Sequence, residues 1–531
     1  MPLSTREAAM ARFKHYDYGQ MKMLPVSFKE QILPGTFEHT LNHLIDHEID
    51  LKVFEHRYCN DETGAPAYDP AILLKIILYA YSRGVTSSRE IARLARENVV
   101  FMALSADSAP HFTTITDFIA RLDAEIVSVF RDVLLVCDEA GLIGREMFAV
   151  DGVKLPSNAS KTWSGTRAEF AKKVAKMERA VRYLVKRHRE ADAAGEDSPV
   201  QAARERQIDT LRKATRRVKQ WLKHHGDKPG ASGGVKKSNV TDNESAKMKT
   251  GKGVIQGYDG VTVTDAKHQV VVHAQAYGEA QEHALLIPML EGACENMRAL
   301  GAEDGLEEVA VAADSGFHSE ANVRYLFESG VDGYLADTLF RKRDPRFASA
   351  RRHVPQRASA PWARPPGLGL FRPRDFVYDE ATQTCICPAG QFLYLNGSHC
   401  RIGGREAVKF TGAKRVCGPC TLREKCLRHP ERTPVRQVVF FTGRATGQPE
   451  TYTAKMKRKI DTDAGRTQYG RRLAVAEPVF AHICSARGLR RFSHRGRTKV
   501  NTQWLLYCLV HNIGKVSRYG NLERRCRRTL Q

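Results

Sequence analysis

The hydrophobic pattern changes character several times along the chain. From Pro70 the run PAILLKIILYAYSRG puts apolar residues on nearly all sides of a helix, the mark of a helix buried all round. Ser87-Ser88-Arg89-Glu90 opens IARLARENVVFMALS, and the serine three residues ahead of the glutamate predicts a capping box. After Pro110, HFTTITDFIARL gives another short amphipathic segment. Residues 1–143 therefore read as an all-helical domain, in which two short helices separated by a turn resemble a DNA-binding helix-turn-helix. Near Glu146 the period shortens. MFAVDGVKL is apolar and β-branched and predicts a buried strand ending at Asp151. Helical spacing then returns, with Phe170, Val174, Met177, Val181 and Leu184 on one stripe and Ile208, Leu211, Val218 and Leu222 on another. This predicts a helical hairpin turned at GEDSPV.

After a Gly- and Ser-rich crossing, VIQGYDGVTVTD and QVVVHAQAYG read as two strands joined near Ala266-Lys267-His268. A helix follows with Pro288 near its start, and Val309 to Ala313 form an apolar strand ending at Asp314. SEANVRYLFESG is a helix closed by Gly330, and VDGYLAD is a further strand. Strands interleaved with helices in this order predict an α/β fold built on a mixed sheet. It spans residues 144–337, with a helical insertion at about 161–250. A Cys-rich insertion covers 338–465, a last helical block covers 466–515, and 516–531 form a basic tail.

Charge sharpens the picture. Lys and Arg number 83 against 60 Asp and Glu, a net +23 over 531 residues. That excess suits a polyanion such as double-stranded DNA. From Lys161 to His225 alone there are 18 basic against 8 acidic residues. Lys172, Lys173, Lys176 and Arg179 on the first hairpin helix are the candidates for backbone contacts. A hydrophobic content of 42% excludes wholesale disorder. No stretch approaches the roughly 20 apolar residues of a membrane span, so a soluble intracellular protein with no membrane partner is expected.

Two aspartates at strand ends, Asp151 and Asp314, stand where open α/β sheets place their sites. Carboxylates there suit magnesium or manganese, and a pair of such ions serves phosphodiester chemistry. A third acid is found in TQYGRRLAVAEPVFAHICSARGLRRF. There Tyr469, Arg472 and Glu477 fall within about 140° of one another on a helix, and Pro478 invites a kink beside the carboxylate. Separately, Cys417-Gly-Pro-Cys420 has zinc-knuckle spacing, Cys426 follows, and Cys385 or Cys387 could complete a structural zinc site.

With these pieces in order, the chain resembles a DDE transposase of a bacterial insertion sequence, from the branch with a Tyr-Arg-Glu-Lys signature. The matching segments include YDYGQMKMLP, HFTTITDF, FAVDGVKLPSNASK, VIQGYDG, ADSGFHSE, CGPCTLREKC and AEPVFAHI. The resemblance implies an RNase H-like catalytic domain with Asp151, Asp314 and Glu477 as its metal-binding acids. It further implies metal-dependent cleavage at transposon ends, strand transfer into target DNA, a homodimer on DNA and a cytoplasmic, nucleoid-associated location. It favours Cys387 as the fourth zinc ligand, and it gives Tyr469 and Arg472 a part in holding DNA. The signature's Lys is expected near position 484, where this chain has Cys484; Arg487, Arg490 and Arg491 are the possible substitutes. Two other readings are a metal-dependent nuclease without strand transfer and an inactive DNA-binding remnant.

Overall fold

The computed structural model describes residues 26–58, 66–194, 199–230, 233–251, 253–302, 305–307, 309–347, 369–402, 405–444 and 450–521. The YDYGQMKMLP piece, most of the GEDSPV turn and the basic tail from residue 522 lie outside the described residues. The chain divides into two compact units. One comprises Met1–Glu282, Pro288–Val309 and Leu473–Gln531; the other comprises His283–Ile287 and Ala310–Arg472.

The first unit opens with helices α1 (Phe37–His47), α2 (Pro70–Ser82), α3 (Ser88–Glu97), α4 (Val99–Leu104), α5 (Phe112–Arg121) and α6 (Ala124–Glu139). Helix α2 is buried continuously from Leu73 to Ser82, as its all-round apolar pattern requires. Asp69 caps it, accepting from the Ala71 amide at 2.8 Å, with Pro70 in the first turn. The capping box expected at Ser87 does not form. Ser87 precedes α3 without a side-chain cap bond, and the Glu90 carboxylate accepts from Arg93 instead. The helix expected to run on through VVFMALS breaks at Asn98 into α3 and α4, the Asn98 side chain starting α4 by accepting from the Val100 and Phe101 amides.

Strand β1 (Met147–Pro156) is longer than the sequence pattern suggests. It does not end at Asp151, because antiparallel pairing with its neighbour continues to Pro156 opposite Gly257. Helices α7 (Arg167–Ala193) and α8 (Pro199–His224) form a hairpin zipped by Phe170, Val174, Met177, Val218 and Trp221. Strands β2 (Ala246–Thr250), β3 (Gly253–Asp265) and β4 (Val271–Tyr277) follow, and β3 pairs antiparallel with β1, β2 and β4. Helix α9 (Leu286–Ala299) begins with Pro288 in its first turn, where a missing amide costs no helical bond.

In the second unit, β5 (Ala310–Ala313) and β6 (Asp332–Leu335) pair in parallel, connected through α10 (Glu320–Glu328). Gly330, at φ +71°, supplies the left-handed residue that ends α10. A five-stranded antiparallel sheet follows in chain order: β7 (Val377–Asp379), β8 (Thr384–Ile386), β9 (Phe392–Ile402), β10 (Arg405–Thr411) and β11 (Gln437–Arg444). Its core gathers Phe376, Cys385, Leu393, Val408, Phe410 and Val438. Then come α11 (Tyr452–Ile460) and α12 (Asp463–Phe480), whose residues from Leu473 onward belong to the first unit. Pro478 lies inside α12, and beyond it Ala481–Ala486 continue as a π-helical turn, the form the expected kink takes.

The closing helix, α13 (Arg497–Tyr519), is the axis of the first unit. Trp504 donates to the Val261 carbonyl at 3.1 Å and lies flat against Gly260, where a side chain would collide with its ring. Tyr507 packs on Tyr81 of α2, and Thr502 donates to the Leu122 carbonyl. The N-terminal helices and the strands of this unit thus share one core. No helix among the described residues is long and apolar enough to cross a membrane.

Candidate active site

In the first unit, Asp151 lies mid-strand and half-buried, its Oδ1 accepting from the Gly152 amide at 2.8 Å. The end of α12 rests on the same strand: Val475 and Ala476 pack against Ala149, joined by Ala266 and Phe480. Side chains two apart on a strand share a face, so Ala149 and Asp151 both present to the helix side. Glu477 follows directly on that contact and is exposed.

The other face of β1 holds an acid that the sequence reading passed over. Asp259 on β3 is fully buried, and neither of its carboxyl oxygens meets a hydrogen-bond donor among the described residues. It stands opposite Lys154, which is paired with Glu282 at 2.6 Å. Burial above all, then the nearby Glu282 carboxylate, pushes Asp259 up to about 8, against a smaller pull from Lys154. Gly152 makes room for it, since a Cβ there would come within 2.8 Å of Asp259 Oδ1. A lone Asp inside the run YDGVTV was the available signal.

In the second unit, Asp314 follows the last residue of β5, and its side chain is 43% exposed. Arg472 lies beneath it, with Nη2 3.6 Å from Asp314 Oδ1 and a side chain only 7% exposed. That distance is an ion pair and too long for a good hydrogen bond. Tyr469 is half-buried, its ring edge-on to Phe340 at 5.0 Å, with the Arg472 guanidinium 5.7 Å from its centroid. Burial raises the Tyr469 phenol above its ordinary range. Tyr469 and Arg472 are therefore packed groups in this structure.

The remaining DNA candidates separate. Cys484 sits on the π-turn, half-buried, and burial pushes its thiol up to about 11; its neighbours are Tyr507 and Cys508 of α13. A turn with i→i+5 bonding carries more residues than an α turn, so uninterrupted helical spacing from Glu477 does not describe position 484. Arg487 is turned inward, donating to the Ser82 carbonyl and lying over Phe37. Arg490 and Arg491 are exposed. On α7, Lys172, Lys176 and Arg179 are exposed, but Lys173 donates to the Thr162 carbonyl at 2.6 Å and covers the Trp163 ring.

The cysteines also sort. Cys385 is in the hydrophobic core of the five-stranded sheet, whereas Cys387, Cys417, Cys420 and Cys426 line a cavity of about 40 Å³. Burial, and the other three thiols beside it, raise the Cys426 thiol, opposed by Arg436. Gly412 leaves space for Cys417, whose Sγ a methyl there would strike. Arg423 braces the knuckle by donating to the Cys417, Pro430, Thr433 and Pro434 carbonyls, and Arg436 donates to Cys426 and Phe371. Among the described residues no group of three or more His, Cys, Asp or Glu is arranged as a finished metal site. By donor type alone, exposed carboxylates are ligands that a hard divalent ion takes and thiols are ligands that zinc takes.

The described residues thus form a mixed α/β protein with a helical N-terminal region. Two family models match: a transposase DDE domain over residues 386–517 and a transposase domain (DUF772) over residues 26–121. Together the two matches support an insertion-sequence DDE transposase. No curated protein and no solved structure matches it.

Proposed function

We propose that this transposase cuts DNA at the ends of its insertion sequence and joins the freed 3′-hydroxyl to target DNA, with Asp151, Asp314 and Glu477 as its metal-binding acids. The observation that carries the reading is the seating of Val475 and Ala476 on Ala149, which brings the segment bearing Glu477 onto the face of β1 that bears Asp151. Two magnesium or manganese ions, when bound, supply the charge that activates water and stabilises the departing oxygen. The three carboxylates bind and orient those ions and form no covalent bond to DNA. Arg472 holds Asp314 in place and neutralises part of its charge. The N-terminal helices and the exposed hairpin cations Lys172, Lys176 and Arg179 hold DNA, with Arg490 and Arg491 replacing the absent signature Lys. Two ends must be joined in one event, so the working form is a homodimer.

Cys387, Cys417, Cys420 and Cys426 form the donor set for one structural zinc, which would draw the knuckle onto the end of the five-stranded sheet. The decisive assay uses DNA carrying the flanks of this gene. Magnesium-dependent nicking at the element boundary, and joining of pre-cut ends, supports the reading. Nicking without joining leaves a nuclease, and binding without nicking leaves an inactive remnant.

A further inference from the structure

Where β1 ends, the first unit forms an open groove of about 810 Å³. Five cations line it, Lys161, Arg217, Arg490, Arg491 and Arg495, and the lining contains no acidic residue. All five are exposed, and none is ion-paired among the described residues. They come from three separate places in the chain: the segment after β1, the middle of α8, and the loop between the π-turn and α13.

The groove is built, with Asn158 at its centre. The Asn158 side chain donates to the Ser493 carbonyl at 3.0 Å, and its Oδ1 lies 3.4 Å from Arg491 Nη2; the Asn158 backbone carbonyl accepts from Arg495 Nε at 2.6 Å. Arg491 Nε donates to the Ser157 carbonyl, and the Phe492 amide donates to the Pro156 carbonyl. This lacing holds guanidinium groups beside one another despite their repulsion. A protein gains nothing in stability from gathering unpaired like charges, so their arrangement calls for an anionic ligand. The groove begins five residues beyond Asp151 on the same strand, about 17 Å away at ordinary strand rise.

We infer that this groove is the track for the sugar-phosphate backbone of the DNA leading away from the reaction centre, gripped by Lys161, Arg217, Arg490, Arg491 and Arg495. The inference rests on the transposase reading and adds to it Lys161, Arg217 and Arg495, none of which sequence spacing could bring together. Arg217 makes the second hairpin helix, and not only the first, a DNA-facing element.

The test is the full-length triple variant Lys161→Gln, Arg217→Gln, Arg490→Gln, chosen because none of these side chains braces the fold. Binding to a fluorescein-labelled DNA duplex of arbitrary sequence is followed against salt, without magnesium. At about 0.9 per phosphate contact, the slope of log K against log salt should flatten by roughly 2.7. A control, Arg401→Gln, Lys425→Gln, Arg432→Gln, removes the same charge from exposed positions in the Cys-rich region and should change the slope by far less. Equal changes in the two variants, or an unchanged slope in the groove variant with an unaltered melting temperature, would overturn the assignment. A groove variant that loses affinity for an RNA duplex but keeps it for DNA would also overturn it. Nicking by the wild-type protein is scored separately. A flattened slope without wild-type nicking supports the groove and defeats only the transposition chemistry.

Discussion

Arg472 lies almost wholly buried under Asp314, 3.6 Å from its Oδ1 and backed by the Tyr469 ring. A guanidinium in that place can fix a carboxylate's orientation, but it has little reach toward a phosphate. Arg472→Gln should therefore lower nicking about 10–100-fold at saturating DNA while leaving DNA affinity near wild type. Arg472→Lys, keeping the charge without the planar fork, should restore part of the rate. Lost affinity with an unchanged saturated rate would instead mark a phosphate contact.

Glu477→Gln preserves volume and helix propensity but removes the charge a divalent ion needs. Because Glu477 is exposed, folding and DNA binding should persist, with nicking and joining down by roughly 10²–10³-fold or more. Asp151→Asn and Asp314→Asn should match it. Substantial magnesium-dependent cleavage by the folded Glu477→Gln protein would remove it from the site.

For the cysteine cavity, metal analysis of freshly purified, reduced protein should find zinc near one equivalent. Cys417→Ser or Cys420→Ser should lose it and lower the melting temperature, whereas Cys385→Ser should retain it. Protein that is folded and free of zinc would mean that Arg423 and its four carbonyl bonds hold the knuckle alone.

Asp259 makes stability depend on pH. An unfolded chain releases this proton near pH 3.8, but the folded protein keeps it up to about pH 8. The folded state therefore binds more protons across that window, and the stability Asp259 contributes is full below pH 3.8 and lost as pH rises to about 8. The urea midpoint should be lower at pH 8 than at pH 5. In Asp259→Asn, which carries a neutral group at every pH, the difference should shrink. An identical pH dependence in both proteins would mean that Asp259 is ionised in the fold.

Local patterns were legible where local forces decide. The all-round apolar helix α2, the hairpin stripes of Phe170 and Val218, and the glycine closing α10 follow from spacing and backbone preference. What escaped depends on distant partners. Strand β1 outruns Asp151 because β3, about a hundred residues later, keeps pairing with it. Asp259 looks like an ordinary polar residue until Gly152 and Glu282 are placed around it. Lys173 resembles its neighbours on α7 until Trp163 and the Thr162 carbonyl engage its ammonium. At Ser87 the local motif did not form, and Glu90 pairs with Arg93 one turn on.

The wide turn at Ala481–Ala486 has a consequence for how this helix tolerates length change. A π-turn holds slack of about one residue relative to α geometry, so deleting one residue there lets the helix close onto ordinary i→i+4 bonding, the cost falling downstream on the bonds that tie Arg491 and Phe492 to Ser157 and Pro156. Most single deletions within a helix rotate everything downstream by about 100° and break its packing. Here the deletion would leave Glu477 seated and a smoother helix behind it, yet would swing Arg490 and Arg491 away from Asn158. The turn is thus the one place in this helix where the spacing between acid and cations could be reset by a single codon.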